Sequence, residues 1–166
     1  MLKLRIKHIF ILPFLLSALF SGCGYRSRSD LLRHIRTVTI SPINNETVEY
    51  GLEEDLADAI RDEFSRTWGE GTDSIFTATI KEYEILPISL DQNGQPEQYR
   101  LFIVMSFVFE DLKRNKILRN EKNYEQFHDF YVVSDRSEPP ETLPEAKEKL
   151  IDEVAADIVS SIVEEW

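Results

Sequence analysis

The segment between residues 99 and 109 constrains the fold most, because almost every residue in it is apolar. Successive side chains of an extended strand point to opposite faces of a sheet. A strand that is apolar on both faces is typical of the interior of a sheet. We therefore predict a central strand here, with other elements covering it. One face carries Tyr99, Leu101, Ile103, Met105, Phe107 and Phe109, and the other carries Phe102, Val104 and Val108.

Two segments have the apolar period of an amphipathic helix. The first begins near Leu52 and ends at Gly69 and Gly71. The second follows a predicted capping box, formed by Thr142 and Glu145, and continues to the C-terminus. The apolar side is formed by Leu52, Leu56, Ile60, Phe64 and Trp68 in the first helix, and by Ile151, Val154, Ala155, Ile158, Ile162 and Trp166 in the second.

Three further strands complete the pattern. In one of them, 75–86, the apolar residues change from even-numbered to odd-numbered positions between Ile80 and Tyr83, which predicts a β-bulge. Two helices and about four strands bury their apolar faces together when both helices pack on one face of the sheet. We therefore predict an α+β fold (an α/β sandwich) with a small mixed sheet. The further strands are 37–40, 75–86 and 117–133, with turns at 91–96 and 111–115.

The N-terminus has the pattern of an export signal. Lys3, Arg5 and Lys7 precede an apolar run from residue 9 to residue 20. This run of about 12 residues suits a secretory signal and is shorter than the roughly 20 residues that a membrane-spanning helix needs. We therefore expect the leader to be removed.

The only cysteine, Cys23, directly follows this leader. A lone cysteine cannot form an intramolecular disulfide, whereas Phe20-Ser21-Gly22-Cys23 resembles a bacterial lipobox, in which the cysteine becomes lipidated. We predict a signal peptide at 1–22, a lipidated N-terminus and tether at 23–36, and a single domain at 37–166. The alternative is an uncleaved short membrane anchor with a free thiol.

Charge and residue usage exclude several function classes. The formal net charge is −11, which disfavours nucleic acid as a partner. We see no phosphate-binding loop, serine elbow, metal-ligand spacing or cofactor motif. His128, flanked by Phe127 and Asp129, is typical of a structural residue. We therefore expect a protein that is not an enzyme and has no cofactor or metal, although a hydrolase assembled from distant residues stays an alternative.

One basic cluster stands against this acidic background. Lys113, Arg114, Lys116 and Arg119 lie in and just after the turn that follows the central strand. Such a cluster could bind a phosphate-bearing ligand through charge-assisted hydrogen bonds. The alternative is an ordinary turn whose cations protect the edge of a strand.

Several short motifs together resemble the lipopolysaccharide-assembly lipoproteins of the LptE family. They are the start Cys23-Gly24-Tyr25-Arg26, the strand Val38-Thr39-Ile40, the turn Ile43-Asn44-Asn45-Glu46-Thr47 and the helix start Gly51-Leu52-Glu53. Asn45 and Thr47 occupy the turn positions of the family motif, whereas Ile43 stands where Phe is common.

The resemblance implies a domain of two helices on a four-stranded sheet, anchored to the periplasmic leaflet of the outer membrane. It further implies a plug inside a large LptD-like β-barrel that delivers lipopolysaccharide to the cell surface. Gly24, standing where lipoproteins retained in the inner membrane carry Asp, agrees with the outer membrane. The alternative is an outer-membrane adaptor or secretion-apparatus component that does not contact lipopolysaccharide.

Overall fold

The computed structural model describes residues 32–133 and 139–163, and within these ranges it contains two helices and one six-stranded sheet. The predicted α+β fold class is confirmed. The strand count exceeds the expected four because β2 and β3 have only two residues each, too few to give an apolar period. The elements are β1 (Thr37–Ile40), β2 (Asn44–Asn45), α1 (Leu52–Ser65), β3 (Gly69–Glu70), β4 (Ser74–Leu90), β5 (Pro96–Asp111), β6 (Lys116–Tyr131) and α2 (Leu143–Val163).

The sheet is mixed. Its strand order is β3-β1-β4-β5-β6, with β2 also paired to β4. β1 and β2 run parallel to β4, whereas β4, β5 and β6 form an antiparallel meander. β5 therefore has a long neighbouring strand on each side, as predicted for the apolar segment 99–109.

Both helices and one face of the sheet share a single hydrophobic core. All the odd-numbered positions of β5 from Leu101 to Phe109 are buried in this core. Helix α1 ends at Ser65, earlier than predicted, but Trp68 still packs on Phe64 and Phe109 with ring centroids 5.7 and 5.6 Å away. The buried helical residues are Leu52, Leu56, Ile60 and Phe64 in α1 and Ala146, Leu150, Ile151, Val154, Ala155, Ile158, Val159 and Ile162 in α2.

The predicted irregularity in β4 is a register shift between Ile80 and Glu82. Ile80 lies opposite Met105, and after the shift Tyr83 lies opposite Ile103. Because Met105 and Ile103 both belong to the core, the extra residue returns the apolar side chains of β4 to the helix-covered face. The predicted bulge is therefore confirmed.

The predicted capping box at the start of α2 is also present. The backbone N–H and the hydroxyl of Thr142 both donate to Oε2 of Glu145 at 2.8 Å. The backbone hydrogen bond and then the hydroxyl hydrogen bond hold the pKa of Glu145 below its usual value. Trp166, the last predicted residue of the apolar stripe, lies outside the described residues.

The chain joins the folded domain before the predicted boundary at residue 37. Leu32 and Ile35 are buried and belong to the core. Part of the segment that the sequence suggests as a tether therefore packs against the domain, because two apolar side chains three residues apart share one side of a turn.

Candidate functional site

The basic cluster lies at the turn between β5 and β6. Lys113 and Arg114 belong to the turn, Lys116 begins β6, and all three are exposed. Arg119 lies further along β6 with a 30% exposed side chain, and it forms an ion pair with Glu121 at 3.6 Å. The structure therefore brings three of the four predicted cations to one turn and places the fourth on the strand.

Lys113 holds this turn against the N-terminal segment of the domain. Its Nζ lies 2.8 Å from Oδ1 of Asp73 and donates to the carbonyl oxygen of His34 at 2.9 Å. The other carboxylate oxygen of Asp73 accepts the backbone N–H of Arg36 at 2.9 Å. The hydrogen bond from Lys113, followed by that from Arg36, holds the pKa of Asp73 below its usual value. Lys113 thus has a structural role in this turn.

A second contact beside the turn joins His34 to Asp111, the last residue of β5. His34 Nε2 lies 2.5 Å from Oδ2 of Asp111, whose side chain is fully buried. The other oxygen of Asp111 accepts the backbone N–H of Arg114 at 3.1 Å. Burial opposes ionisation of Asp111, but the hydrogen bonds from His34 and the turn backbone outweigh it and lower its pKa.

Sequence reasoning missed the acidic side of this site. Asp73, Asp111 and His34 lie far apart along the chain, and each acid looks like an ordinary turn residue in the sequence. The available signal was that Asp111 ends an apolar strand at a turn, where a carboxylate can accept backbone N–H groups. Among the described residues, Arg114 and Lys116 are the members of the cluster for which we find no side-chain partner.

The family turn motif forms a second, separate site. Asn45 Nδ2 donates to the carbonyl of Glu49 at 2.8 Å and to the carboxylate of Glu53 at 2.7 Å. Its Oδ1 accepts the backbone N–H and the hydroxyl of Thr47 at 2.9 and 2.8 Å. Gly51, with φ of +81°, provides the left-handed turn into α1. Asn45 therefore fixes the loop between β2 and α1, which gives the motif a structural role.

His128 lies between two acidic side chains. Its Nε2 is 3.1 Å from Glu141, and its Nδ1 is 3.3 Å from Glu153 on α2. These contacts join β6 to the segment before α2 and to α2 itself, as a structural histidine would. In the described part of the chain, no group of three or more potential metal ligands stands together.

The predicted lipidation site, Cys23, lies outside the described residues, as does the leader before it. Among the helices that the structure describes, none is both long and apolar enough to span a bilayer.

A comparison with protein-family models decides the family. The model for LptE, described as lipopolysaccharide-assembly, matches residues 35–165. The chain belongs to the LptE family. The match includes both helices, every strand, the basic turn and the Asn45 motif, so the predicted resemblance is confirmed. Among curated proteins, none matches this chain.

Solved structures share the fold at low sequence identity. A family DUF330 protein from Xanthomonas campestris has a TM-score of 0.53 at 9% identity, covering 77% of this LptE-family chain and 84% of its own. A hypothetical protein from Chlamydia trachomatis has a TM-score of 0.52 at 11% identity, and the match covers 78% of this chain and 98% of that protein. The rare lipoprotein B from Shewanella oneidensis has a TM-score of 0.41 at 14% identity, and the match covers 76% of this chain and 92% of that protein. The first two similarities establish the fold alone.

Proposed function

We propose that this LptE-family chain is an outer-membrane lipoprotein of the lipopolysaccharide translocon. It acts as the plug and assembly partner of a large LptD-like β-barrel that inserts lipopolysaccharide at the cell surface. The observation that carries this proposal is the family match over residues 35–165. The role requires neither catalysis nor a cofactor.

The lipid anchor is part of this proposal. A lipidated Cys23 would attach the domain to the periplasmic leaflet of the outer membrane. Such an anchor is stable when the lipidated residue carries two or more acyl chains. The acidic, charged exterior of the domain supports a place inside a barrel, since the lumen of a large membrane barrel is polar.

We assign the basic turn to anionic groups of the translocon. Arg114 and Lys116 are exposed at the end of the β5–β6 hairpin, and Lys113 and Arg119 lie beside them. Cations of this kind bind phosphate through charge-assisted hydrogen bonds. The ligands are phosphates of lipid A or of the lipopolysaccharide core, or acidic groups of the barrel wall.

Depletion of the protein in its native host tests the translocon role. Lipopolysaccharide should accumulate in the inner membrane, and the lipid-anchored protein should purify with a large β-barrel in near-equal amount. A Cys23→Ala variant, which cannot be lipidated, should fail to restore export. Normal surface lipopolysaccharide after depletion, with no barrel in the purified material, would instead favour an adaptor or secretion-apparatus component.

A paired set of variants tests the basic turn. Arg114→Gln combined with Lys116→Gln should weaken binding to purified lipopolysaccharide. Lys81→Gln combined with Lys122→Gln is the control, because it removes the same charge elsewhere on the sheet. Equal binding by both double variants would exclude the turn as the phosphate site. Lys113 is left unchanged because its contacts with Asp73 and His34 are structural.

A further inference from the structure

The distal half of β4 has a strand on one side only. β1 pairs with β4 up to Phe76, and β2 pairs with it up to Ile80. From Glu82 to Leu90, β5 is the one strand in the described ranges that pairs with β4. We call this segment, Glu82–Leu90, the open edge.

Pro87 identifies which backbone groups face outward along the open edge. Pro87 lies opposite Tyr99 in an unbroken register that extends back to Tyr83. Proline has no N–H, so its nitrogen is tolerated in a paired strand where it faces away from the partner strand. Because backbone groups alternate sides along a strand, Tyr83 and Ile85 direct their N–H and carbonyl groups to the same free side. Outside the β4–β5 ladder, neither N–H donates to a backbone carbonyl within the described ranges.

Four apolar side chains of the open edge are exposed to solvent, beside the charged Glu82 and Glu84. Ile85 and Leu86 are 42% and 43% exposed, and Ile88 and Leu90 are 42% and 57% exposed. Edge strands in soluble proteins are normally short or charged, because unpaired backbone beside apolar side chains favours pairing with another chain. The exposed apolar residues from Ile85 to Leu90 therefore favour a partner that covers this part of the edge.

A loop with two exposed apolar side chains lies beside the same surface. The loop follows β2, and the backbone N–H of Glu46 at its start donates to the carbonyl of Ile80 at 2.9 Å. The pairing of Asn45 with Ile80 places the loop beside the start of the open edge. Burial and then the charge of Glu49 raise the pKa of Tyr83 to about 12. Val48 and Tyr50 in this loop are 92% and 94% exposed. Asn45 fixes the backbone of the loop that carries these two side chains.

The negative charge of the open edge favours a basic partner over a second copy of this chain. Glu82 and Glu84 lie on the face of β4 away from the helices, opposite Val104 and Phe102 of β5. The neighbouring Lys147 is already held by Glu49 and Asp55, at 3.6 and 2.9 Å. A second copy of this acidic chain would bring like charges together at the edge, and like charges directly opposite each other destabilise paired strands.

We propose that the open edge binds an extended segment of another polypeptide by strand addition. The bound segment alternates apolar residues, which lie beside Tyr83 and Ile85, with Lys or Arg residues, which lie beside Glu82 and Glu84. Main-chain hydrogen bonds provide affinity in this mode, and the alternating side chains provide specificity. Pro87 sets the register, because it supplies no donor at its position. This binding mode is independent of the lipopolysaccharide role.

Hydrogen exchange on the full-length chain in detergent tests the open edge. In the free protein, the amides of Tyr83 and Ile85 should exchange fast, whereas those of Glu84 and Leu86, bonded to β5, should exchange slowly. The probe is a short blocked peptide of alternating lysine and valine. At about ten times its dissociation constant it should slow exchange at Tyr83 and Ile85 by about tenfold.

Two variants and one control peptide make the result specific. Ile85→Pro removes an outward donor without removing a bond to β5 and should abolish protection at Tyr83, whereas Ile85→Val should preserve it. Glu82→Lys combined with Glu84→Lys should transfer the preference to a peptide of alternating glutamate and valine. Equal protection by both peptides in the native chain, no protection by either, or protection that rises with protein concentration alone would overturn the assignment.

Discussion

At the scale of single residues, Asn45 has the densest set of contacts in the family motif. One side-chain amide donates to Glu49 and Glu53 and accepts twice from Thr47. The hydrogen bond to its own backbone N–H, and then that from Asn45, holds the pKa of Glu53 below its usual value. Asn45 thereby connects β2 to the first turn of α1, where carboxylates are favoured by the helix dipole.

Replacing Asn45 should destabilise the domain. Asn45→Ala removes the partners of a part-buried carbonyl, carboxylate and hydroxyl, and we expect a loss of about 1–3 kcal/mol in the free energy of unfolding. Urea titration measures this change. Asn44→Ala is the matched control, because Asn44 is exposed and makes one side-chain hydrogen bond, at 3.4 Å, to Glu46. Equal losses in both variants would contradict the assigned role of Asn45.

Asp111 should make stability depend on pH. Its pKa is lowered in the folded state, so its contribution to stability is fully present above the usual carboxyl pKa of about 3.9 and is lost as pH falls through the folded-state value. Asp111→Asn should therefore lower the free energy of unfolding at neutral pH and differ less from the native chain near pH 3.

Urea titrations at several pH values measure this difference. Asp62→Asn, on the exposed side of α1, is the control and should change the free energy of unfolding by less than about 0.5 kcal/mol. A gap between Asp111→Asn and the native chain that stays constant down to about pH 3 would contradict the linkage.

At the scale of elements, an aromatic cluster attaches α1 to the sheet. Phe64 on α1 contacts Phe76 of β4 and Phe109 of β5, with ring centroids 5.9 and 6.0 Å away. Trp68 stacks on the same Phe109 ring after the helix has ended. Offset and edge-to-face aromatic pairs contribute beyond their buried area, so this cluster explains why Trp68 stays packed without helical structure.

Removing the centre of this cluster should be costly. Phe64→Ala should lower the free energy of unfolding by about 3–5 kcal/mol, because it leaves a cavity beneath α1. Ser65→Ala, at the next residue and exposed, should change it by less than about 0.5 kcal/mol. Thermal and urea unfolding followed by tryptophan fluorescence measure both variants, and a loss below about 1 kcal/mol for Phe64→Ala would show that α1 is held elsewhere.

At the scale of the whole molecule, acidic charge dominates the surface. The formal net charge of −11 produces self-repulsion in the compact state. A few cations are used in close pairs, such as Arg100, which lies 2.6 Å from Asp129 and 4.0 Å from the ring centre of Phe127. This pair is part-buried and bidentate, with a second hydrogen bond from Nη2 to Oδ2 at 2.8 Å, whereas fully exposed ion pairs contribute little to stability.

Added salt should therefore stabilise the protein. Between about 0.01 M and 1 M NaCl, the Debye length falls from about 30 Å to about 3 Å, which screens the repulsion between surface carboxylates. We expect Tm to rise by several degrees in calorimetry. Sucrose at matched osmolality is the control for general solute effects. A Tm that falls with NaCl would mean that ion pairs such as Arg100–Asp129 outweigh the net repulsion.

The sequence by itself determined the local elements. Apolar residues at every fourth position from Leu52 to Phe64 predicted the buried side of α1. The alternation of apolar residues from Leu101 to Phe109 predicted the covered face of β5. The change of apolar residues from even to odd positions after Ile80 predicted the bulge in β4. These patterns depend on neighbours a few residues away, because a helix or a strand imposes a fixed side-chain period on any sequence.

Only the tertiary structure decided the contacts between distant segments. It placed His34 against Asp111, turned Lys113 from a candidate phosphate ligand into a partner of Asp73, and left the side of β4 beyond Ile80 without a neighbouring strand in the described ranges. The physical reason is that these features depend on which segments pack together. A periodic pattern indicates which face of a helix or strand is apolar, but it does not indicate which other segment covers that face.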